Sequence, residues 1–586
     1  VLIWGPRAKN GFPSQNQPLQ VQIRRDFGSS AFLVPNDIVF RGQTPATVLT
    51  WPMHTGPTTV KAEPLPTHRL LIESRRQDRT ISRAGITRAH CLTYEESGFV
   101  TKFVQSLTVG HRKDRSANSY WPPTVFFPSI APMSDLSHTD KNRTNETVEL
   151  LQQLIRNKCV NTGESDSGEE IRNSDLLETF LEGPGVEVER FDCLPGRRSM
   201  VARLEGTNPS APSLCLMGHT DVVPVSPDGW SRDPFGGELV EGEVWGRGAV
   251  DMLNLTSSMA VAFRHLARNG FRPEGDLVYF GVADEEAGGT YGAKWMAEHH
   301  WDAISADYVL TEFGGLPIDT PDGKKITLAA GEKGLGWRRL TVKGTPGHGS
   351  MPFGSDNAVL KAAEIIRRLG EYRPDAKLTE MWQHQVSTLD LGPDVKAALL
   401  DPASVWDTIS KLDSPALARH LHACTHTTFS PNVIHGGVKT NVIPDSVEID
   451  VDIRTAPGDS DRVDQHLRDA LGELFDEIEI RPIHDDPATF SSTDTPMWHL
   501  LQELMQKAHP GAPLIPSLIV GATDARFYRE KGSVAYGAGL FSERVNSSDF
   551  MSRFHGHDER VDIDSLALTT QLWLDVASNF WEKVNR

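Results

Sequence analysis

Three apolar runs in this chain each end on a residue that can hold a metal, and that repetition restricts its fold more than any other feature. The run 214–217 meets Gly218 and then His219 and Asp221; the run 276–283 is followed by Asp284, Glu285 and Glu286; the run 308–310 leads to Glu312. Short apolar runs bounded in this way read as buried strands. In open α/β sheets, chemistry collects beyond the carboxyl ends of the strands. A solvated surface would scatter its acids over both ends of a sheet, whereas here they follow the carboxyl ends. The repetition points to a mixed nitrogen and oxygen metal site on an α/β sheet. Taken alone, His219 with Asp221 reads equally as a ligand with its orienting partner or as an ordinary hydrogen-bonded histidine.

The rest of the chain divides around this pattern. Residues 1–130 hold 16 Lys and Arg against 8 Asp and Glu, a net +8, and the remainder holds 43 against 70, a net −27. The basic part, to about residue 140, is rich in Pro, Ser, Thr and Arg without a repeating apolar face, so it is expected to be a disordered or mis-assigned leader. Folded chain is expected from Glu146, where Val148, Leu150, Leu151, Leu154 and Ile155 have the spacing of an amphipathic helix. A catalytic domain is then expected over 141–332 and 487–586. Its loop 224–246 is long, and long loops in compact domains are more often functional than idle. GRGAVDML, 246–253, puts Asp251 before a helix over 255–266, where by itself it reads as a capping or first-turn acid.

Between these halves, 333–486 changes pattern. The spacing predicts a strand in GLGWRRLTVKG, a helix over 356–369, strands over 432–438 and 446–454, a helix over 460–475 and a strand over 478–483. That order, βαββαβ, is ferredoxin-like. Residues 371–430 form a further insertion within it, with helical patches at 395–400 and 415–422. The expected fold class is α/β, a mostly parallel-sheet catalytic domain carrying an inserted ferredoxin-like domain.

Composition excludes some functions. A net charge of −19 disfavours nonspecific binding to nucleic acid or to an anionic membrane. No apolar run approaches the ~18 residues needed to span a bilayer. The five cysteines, Cys91, Cys159, Cys193, Cys215 and Cys424, are scattered and never spaced C-x-x-C, so neither a disulfide framework nor a thiolate zinc site follows. No secretory signal is visible near VLIWGPRAKNG, and a cytoplasmic location is the default.

Eight stretches in order, MGHTDVVP, GRGAVDM, ADEEAGG, LTEF, GTPGHGS, GGVKTNVIPD, GATDAR and FHGHDERV, resemble the M20 metallopeptidase family of aminoacylases, carboxypeptidases and deacylases. The resemblance covers about 145–586. It implies two Zn2+, with Co2+ or Mn2+ as substitutes, bridged by Asp251. His219 and Glu312 would complete one metal's ligands, and Glu286 and His555 the other's. Asp221 would orient His219, and Glu285 would be the general base. His555 is preferred to His557 because the family's last ligand lies four positions before a Glu, here Glu559. The resemblance makes the inserted domain a lid and a homodimer contact, and makes His348 an oxyanion-stabilising residue that in several members reaches the partner's site. It gives Asn441 and Arg454 the substrate's carboxylate and sets Thr523 in the pocket. Without it, Asn441 reads as a turn residue, Arg454 as a surface ion-pair partner and Thr523 as structural.

The implied activity is hydrolysis of an amide or peptide bond next to a free carboxylate, in an N-acyl amino acid or at the carboxyl end of a short peptide. The insertion 371–430 resembles the carboxypeptidase S and N-acyl-amino-acid hydrolase branch, favouring apolar substrates. The alternatives are a narrow acetylornithine or succinyl-diaminopimelate type deacylase, and a member that has lost catalysis and acts as a binding protein. The latter predicts damage among His219, Asp251, Glu285, Glu286, Glu312 or His555, and the sequence has none.

Overall fold

A computed structural model describes residues 139–544 and 547–585 and, in the basic leader, the backbone of short strands that include Asp37–Arg41, Val48–Pro52, Arg69–Ser74 and Cys91–Thr93, paired antiparallel. The rest of the leader, for which disorder is expected, lies outside the described residues. Helix α1, Lys141–Arg156, begins five residues before Glu146, with the Asp140 carboxylate accepting from the Arg143 N–H at 3.0 Å. Its polar first turn carries no apolar signal, which is why periodicity alone misses it.

The main sheet contains β1 (Val186–Leu194), β2 (Arg197–Leu204), β3 (Leu214–His219), and, after helix α2 (Leu253–Arg268), β4 (Leu277–Val282), β5 (Tyr308–Thr311), β6 (Gly314–Thr320) and β7 (Gly323–Glu332). Later chain adds three more strands, Thr489–Phe490, which pairs antiparallel with β7, Leu514–Ile519 and Val534–Gly537. The order is β6-β7-(534–537)-β5-β3-β4-β2-β1, with 514–519 pairing β7. The centre of the sheet, from 534–537 to β4, is parallel, while β1, β2 and β6 add antiparallel margins.

Side chains on β3 and β4 alternate between two cores. Leu214, Leu216, Leu277 and Tyr279 face one with Phe263, Met259 and Trp573; Cys215, Met217, Val278 and Phe280 face the other with Met296, Phe527 and Tyr528. Both sheet faces are covered, so the strands read as unbroken apolar runs. Each fully buried Leu or Phe of this kind contributes about 1.5–3 kcal/mol. Gly218 allows α2 to lie close on β3: a Cβ there would sit 2.5 Å from Thr256 Oγ1, which itself donates to the His219 carbonyl at 2.8 Å.

A second sheet follows. Strands β8 (Arg338–Lys343), β9 (Thr428–Gly436), β10 (Ser446–Thr455) and β11 (Ile478–Pro482) pair antiparallel in the order β9-β10-β8-β11. Helices α3 (Ala358–Glu371) and, after β10, α4 (Val463–Leu471) pack Ala362, Ile365, Leu369, Val463 and Leu467 against Leu340, Ile449, Val451 and Ile453. The helix expected over 460–475 is shorter, flanked by 3-10 turns, because Gly472 at φ +58° ends the α-helix. The strand expected over 432–438 starts at Thr428, with a register shift after Pro431, and ends before Gly437 at φ +72°. The helices within 371–430 have a core of their own around Trp382, Leu399, Val405 and Leu421.

The chain then returns through helix α5 (Pro496–Ala508) and ends with α6 (Ser547–Arg553) and α7 (Ile563–Val584). Among the described residues, no helix is long and apolar enough to cross a membrane.

Candidate metal centre

Strand register brings the acids together. His219 pairs with Val282 and Leu216 with Leu310, so Glu285, Glu286 and Glu312 follow their strands at the same edge of the sheet as His219. Asp251 reaches this edge from the turn before α2, and the peptide bond Asp251–Met252 is cis. His555 arrives from the loop after α6, on left-handed backbone at φ +54°.

Asp251 stands between two groups. Its Oδ1 lies 3.2 Å from His219 Nε2, and its Oδ2 lies 3.1 Å from His555 Nε2, which is also 3.1 Å from Glu286 Oε2. On the other side, Glu285 Oε2 and Glu312 Oε2 are each 3.9 Å from His219 Nε2. Metal-sized groupings therefore form from His219, Asp251 and Glu286, and from His219, Glu285 and Glu312. Glu285 is thus within ligand distance, and geometry alone does not separate its role from that of Glu312.

Four carboxylates converge here in a water-poor space. Burial pushes Glu285 and Glu312 well above the ordinary carboxylate range, and burial with the nearby Asp251 charge raises Glu286 to about 7. Asp251 goes the other way: despite burial, hydrogen bonds from His219 and His555 hold it well below its ordinary value. Hydrogen bonds to Asp251 and Glu286 raise His555 to about 10. Glu286 Oε1 and Glu312 Oε2 are buried without a hydrogen-bond partner in the protein. Orphaned acceptors beside repelling carboxylates are expensive unless a cation meets them. The residues present therefore fit a bound metal.

Behind this cluster, His219 Nδ1 lies 3.0 Å from the Asp221 backbone carbonyl and 3.5 Å from its carboxylate. The carbonyl is thus the nearer partner, alongside the carboxylate expected to orient the ring. Asn161 donates to Asp221 at 2.8 Å and to Asp284 at 3.0 Å. Asp284 in turn pairs with the buried Arg197, which also binds Glu170 at 2.8 Å. Asn161 and Arg197 were invisible to motif reading, since nothing near them in sequence has ligand spacing.

The other expected site residues divide. A cavity of about 1350 Å3 runs from Asp251, Glu285, Glu312 and His555 to Arg454. Arg454 lies over the Trp337 ring at 5.3 Å and donates to Asp452 at 2.7 Å. His348 and Asn441 come together on exposed turns, where His348 pairs with Val442 and Gly349 donates to the Asn441 carbonyl at 2.8 Å. Neither lines this cavity. Thr523 is buried with its N–H on the Glu332 carboxylate and does not line it either. His557 packs its ring against Gly229, in keeping with an ordinary structural role.

The sequence model of peptidase family M20/M25/M40 matches residues 215–579, a span that takes in the whole cluster. The chain belongs to this family. It is accordingly a hydrolytic enzyme, and the reading as a non-catalytic binding protein falls away. This M20 chain is 27% identical to the N-fatty-acyl-amino acid synthase/hydrolase PM20D1 of Xenopus tropicalis, over 66% of this chain and 75% of that protein. It is 27% identical to the probable carboxypeptidase S-like 2 of Dictyostelium discoideum, over 78% of this chain and 90% of that protein. Its fold is similar to that of the M20 family metallo-carboxypeptidase Sso-CP2 from Sulfolobus solfataricus, with a TM-score of 0.58 at 19% identity, covering 76% of this chain and 99% of that one.

Proposed function

We infer that this M20 hydrolase uses two zinc ions to cleave an amide bond next to a free carboxylate, its preferred substrate being an N-acyl amino acid with a long apolar acyl group. The observation that carries the two-metal part is the division of Asp251, one oxygen toward His219 and the other toward His555 and Glu286. His219 with Glu312 would hold one ion and Glu286 with His555 the other; nitrogen and oxygen donors of this kind suit Zn2+, and Co2+ or Mn2+ would substitute. Such a pair supplies Lewis acidity, making a water acidic near neutral pH and polarising the scissile carbonyl.

The chain's own residues do the rest. Glu285 accepts the proton of the attacking water on its carboxylate and passes it to the leaving nitrogen, so that water and amide become a carboxylic acid and an amine. Burial and the surrounding acids raise its proton affinity, which suits this shuttle. Asp221 holds the His219 ring, and Arg454 binds the substrate's carboxylate through its guanidinium fork.

The acyl preference rests on the cavity. Its long arm is lined by Leu316, Ile318, Ile515, Leu518, Phe541 and Phe550. Strand β6, with 7 residues, starts two positions after Glu312 and at ~3.3 Å per residue runs along this arm for roughly 23 Å. A compact metabolic deacylase has no use for such a gallery. The name of the Xenopus relative points to the same substrate class.

The second sheet is read as the ferredoxin-like lid and homodimer contact. Exposed Met351, Phe353, Val433, Ile434 and Val438 belong to it or its loops and Leu360 to helix α3 packed on it, with His348 and Asn441 on the same loops. In this reading they complete the partner's site, which accounts for their distance from the cavity of their own chain.

Glu285→Gln tests the assignment. It is expected to keep two metals per chain and to lose about 100- to 10,000-fold in kcat; retained metal with nearly full turnover would refute Glu285 as the base.

A further inference from the structure

The two histidines of the centre are held in different ways. His219 is fully buried, with Nδ1 fixed by Asp221. The His555 side chain is 54% exposed and its backbone is left-handed, so side-chain packing does little to locate it. Its backbone is held instead.

Glu559 is the hub. Its Oε1 accepts from the Val250 N–H at 2.7 Å and from the Asp251 N–H at 3.1 Å, while its Oε2 accepts from Arg247 Nη1 at 2.6 Å. Arg247 Nη2 donates to the His555 carbonyl at 3.3 Å. These bonds link the backbone of the carboxylate shared between the two groups to the backbone of His555. Both side chains are buried, 0% and 3% exposed, and the Arg247 guanidinium lies 5.4 Å from the Trp230 ring centre. A second contact fastens the same loops elsewhere, where Ser231 donates through N–H and Oγ to Asp558.

We propose that Arg247 and Glu559 are positioning residues that set the distance between Asp251 and His555, and so fix the affinity of the metal held by Asp251, Glu286 and His555. This rests on the two-metal reading above. Neither side chain ligates or touches substrate; each acts through the backbone of a ligand. A metal site tolerates ligand displacements of only a few tenths of an ångström, and loss of partners behind ligands weakens metal binding about 10- to 100-fold. The effect falls chiefly on that metal: Asp251 serves both, but the other metal's remaining ligands, His219 and Glu312, are held by β3, β5 and Asp221, which the pair does not touch, whereas His555 is held through Arg247.

The test is zinc titration of the full chain against a chromophoric chelator, alongside the visible spectrum of Co2+-loaded protein. Three variants are compared with the wild type: Glu559→Gln, the double variant Arg247→Met with Glu559→Leu, and Ser231→Ala. The double variant replaces a buried ion pair with apolar side chains of similar size, an exchange that folded proteins often accept. The expected result is two zinc ions in the wild type and in Ser231→Ala. In the other two, one ion is held as in the wild type and the second about 10- to 100-fold more weakly, with the Co2+ absorption changed for that second ion alone. A folded double variant with two wild-type affinities overturns the positioning role, as does equal weakening of both ions or an equal effect of Ser231→Ala. A wild type that binds only one zinc overturns the two-metal reading itself.

Discussion

Phe313 and Phe554 stack with ring centres 5.1 Å apart and planes 18° from parallel, and each is the immediate sequence neighbour of a candidate metal ligand, Glu312 and His555. The pair forms part of the cavity wall where the metal cluster gives way to the apolar arm. Aromatic pairs of this kind contribute about 0.5–1.5 kcal/mol beyond their buried area. Phe554→Ala is therefore expected to raise KM for long-chain N-acyl amino acids more than for N-acetyl ones. In the wild type, kcat/KM is expected to climb up to about fourfold per added methylene, the equivalent of ~0.8 kcal/mol, until the arm is full. A chain-length series on both proteins checks this; a flat series in the wild type would remove the acyl assignment.

Arg454 faces the same cavity from the second sheet. A hydrogen bond to a charged group contributes about 1.5–3 kcal/mol, so Arg454→Ala should raise KM roughly 10- to 100-fold for substrates with a free carboxylate. Amidated analogues should be almost unaffected. Equal losses on both would show that Arg454 supports the cavity wall and does not bind the carboxylate.

Metal removal should change how stability depends on pH. In the metal-free protein the folded-state pKa of Glu286 is raised to about 7, and that of His555 to about 10. A raised folded pKa favours the native state while the group is protonated. The Glu286 contribution is thus full below about 4.5 and lost as pH rises to 7; that of His555 is full below about 6.5 and lost as pH approaches 10. Metal binding needs the deprotonated ligands and strengthens over the same range. The gap in Tm between zinc-loaded and chelator-treated protein should widen steadily from pH 5 to pH 9. A gap that is constant or narrows would contradict these assignments.

Arg197 is fully buried between Glu170 and Asp284. Arg197→Met leaves two acids buried without their cation, and breaking such a pair costs about 3–5 kcal/mol. Denaturant unfolding should show this loss. Because Asp284 shares Asn161 with Asp221, zinc affinity should fall as well; an unchanged unfolding midpoint would mean that the acids simply take up protons.

The sequence by itself determined the sheet edge and the identity of the cluster. Buried parallel strands must be apolar throughout, so 214–217, 276–283 and 308–310 announced themselves, and the residues just beyond them had to lie at one edge. The helix expected over 255–266 is longer in the structure, at Leu253–Arg268, and the first helix starts before its apolar repeat. Element ends are set by caps and polar turns that hydrophobic spacing does not register.

Tertiary structure alone decided the partnerships that cross the chain. Arg247 and Glu559 are 312 positions apart, and Arg197 and Asp284 are 87 apart; a lone arginine or glutamate carries no sign of the partner that neutralises it once buried. The same holds for the cavity. Its arm is built from β6, the strand 514–519 and residues 541–554, whose side chains each read as ordinary core until the fold leaves a space between them. His348 and Asn441 show the converse. Their motifs mark them clearly, yet within one chain they stand on an exposed turn, because a motif specifies residue types and local backbone, and the distance from a site depends on how whole sheets are set against each other.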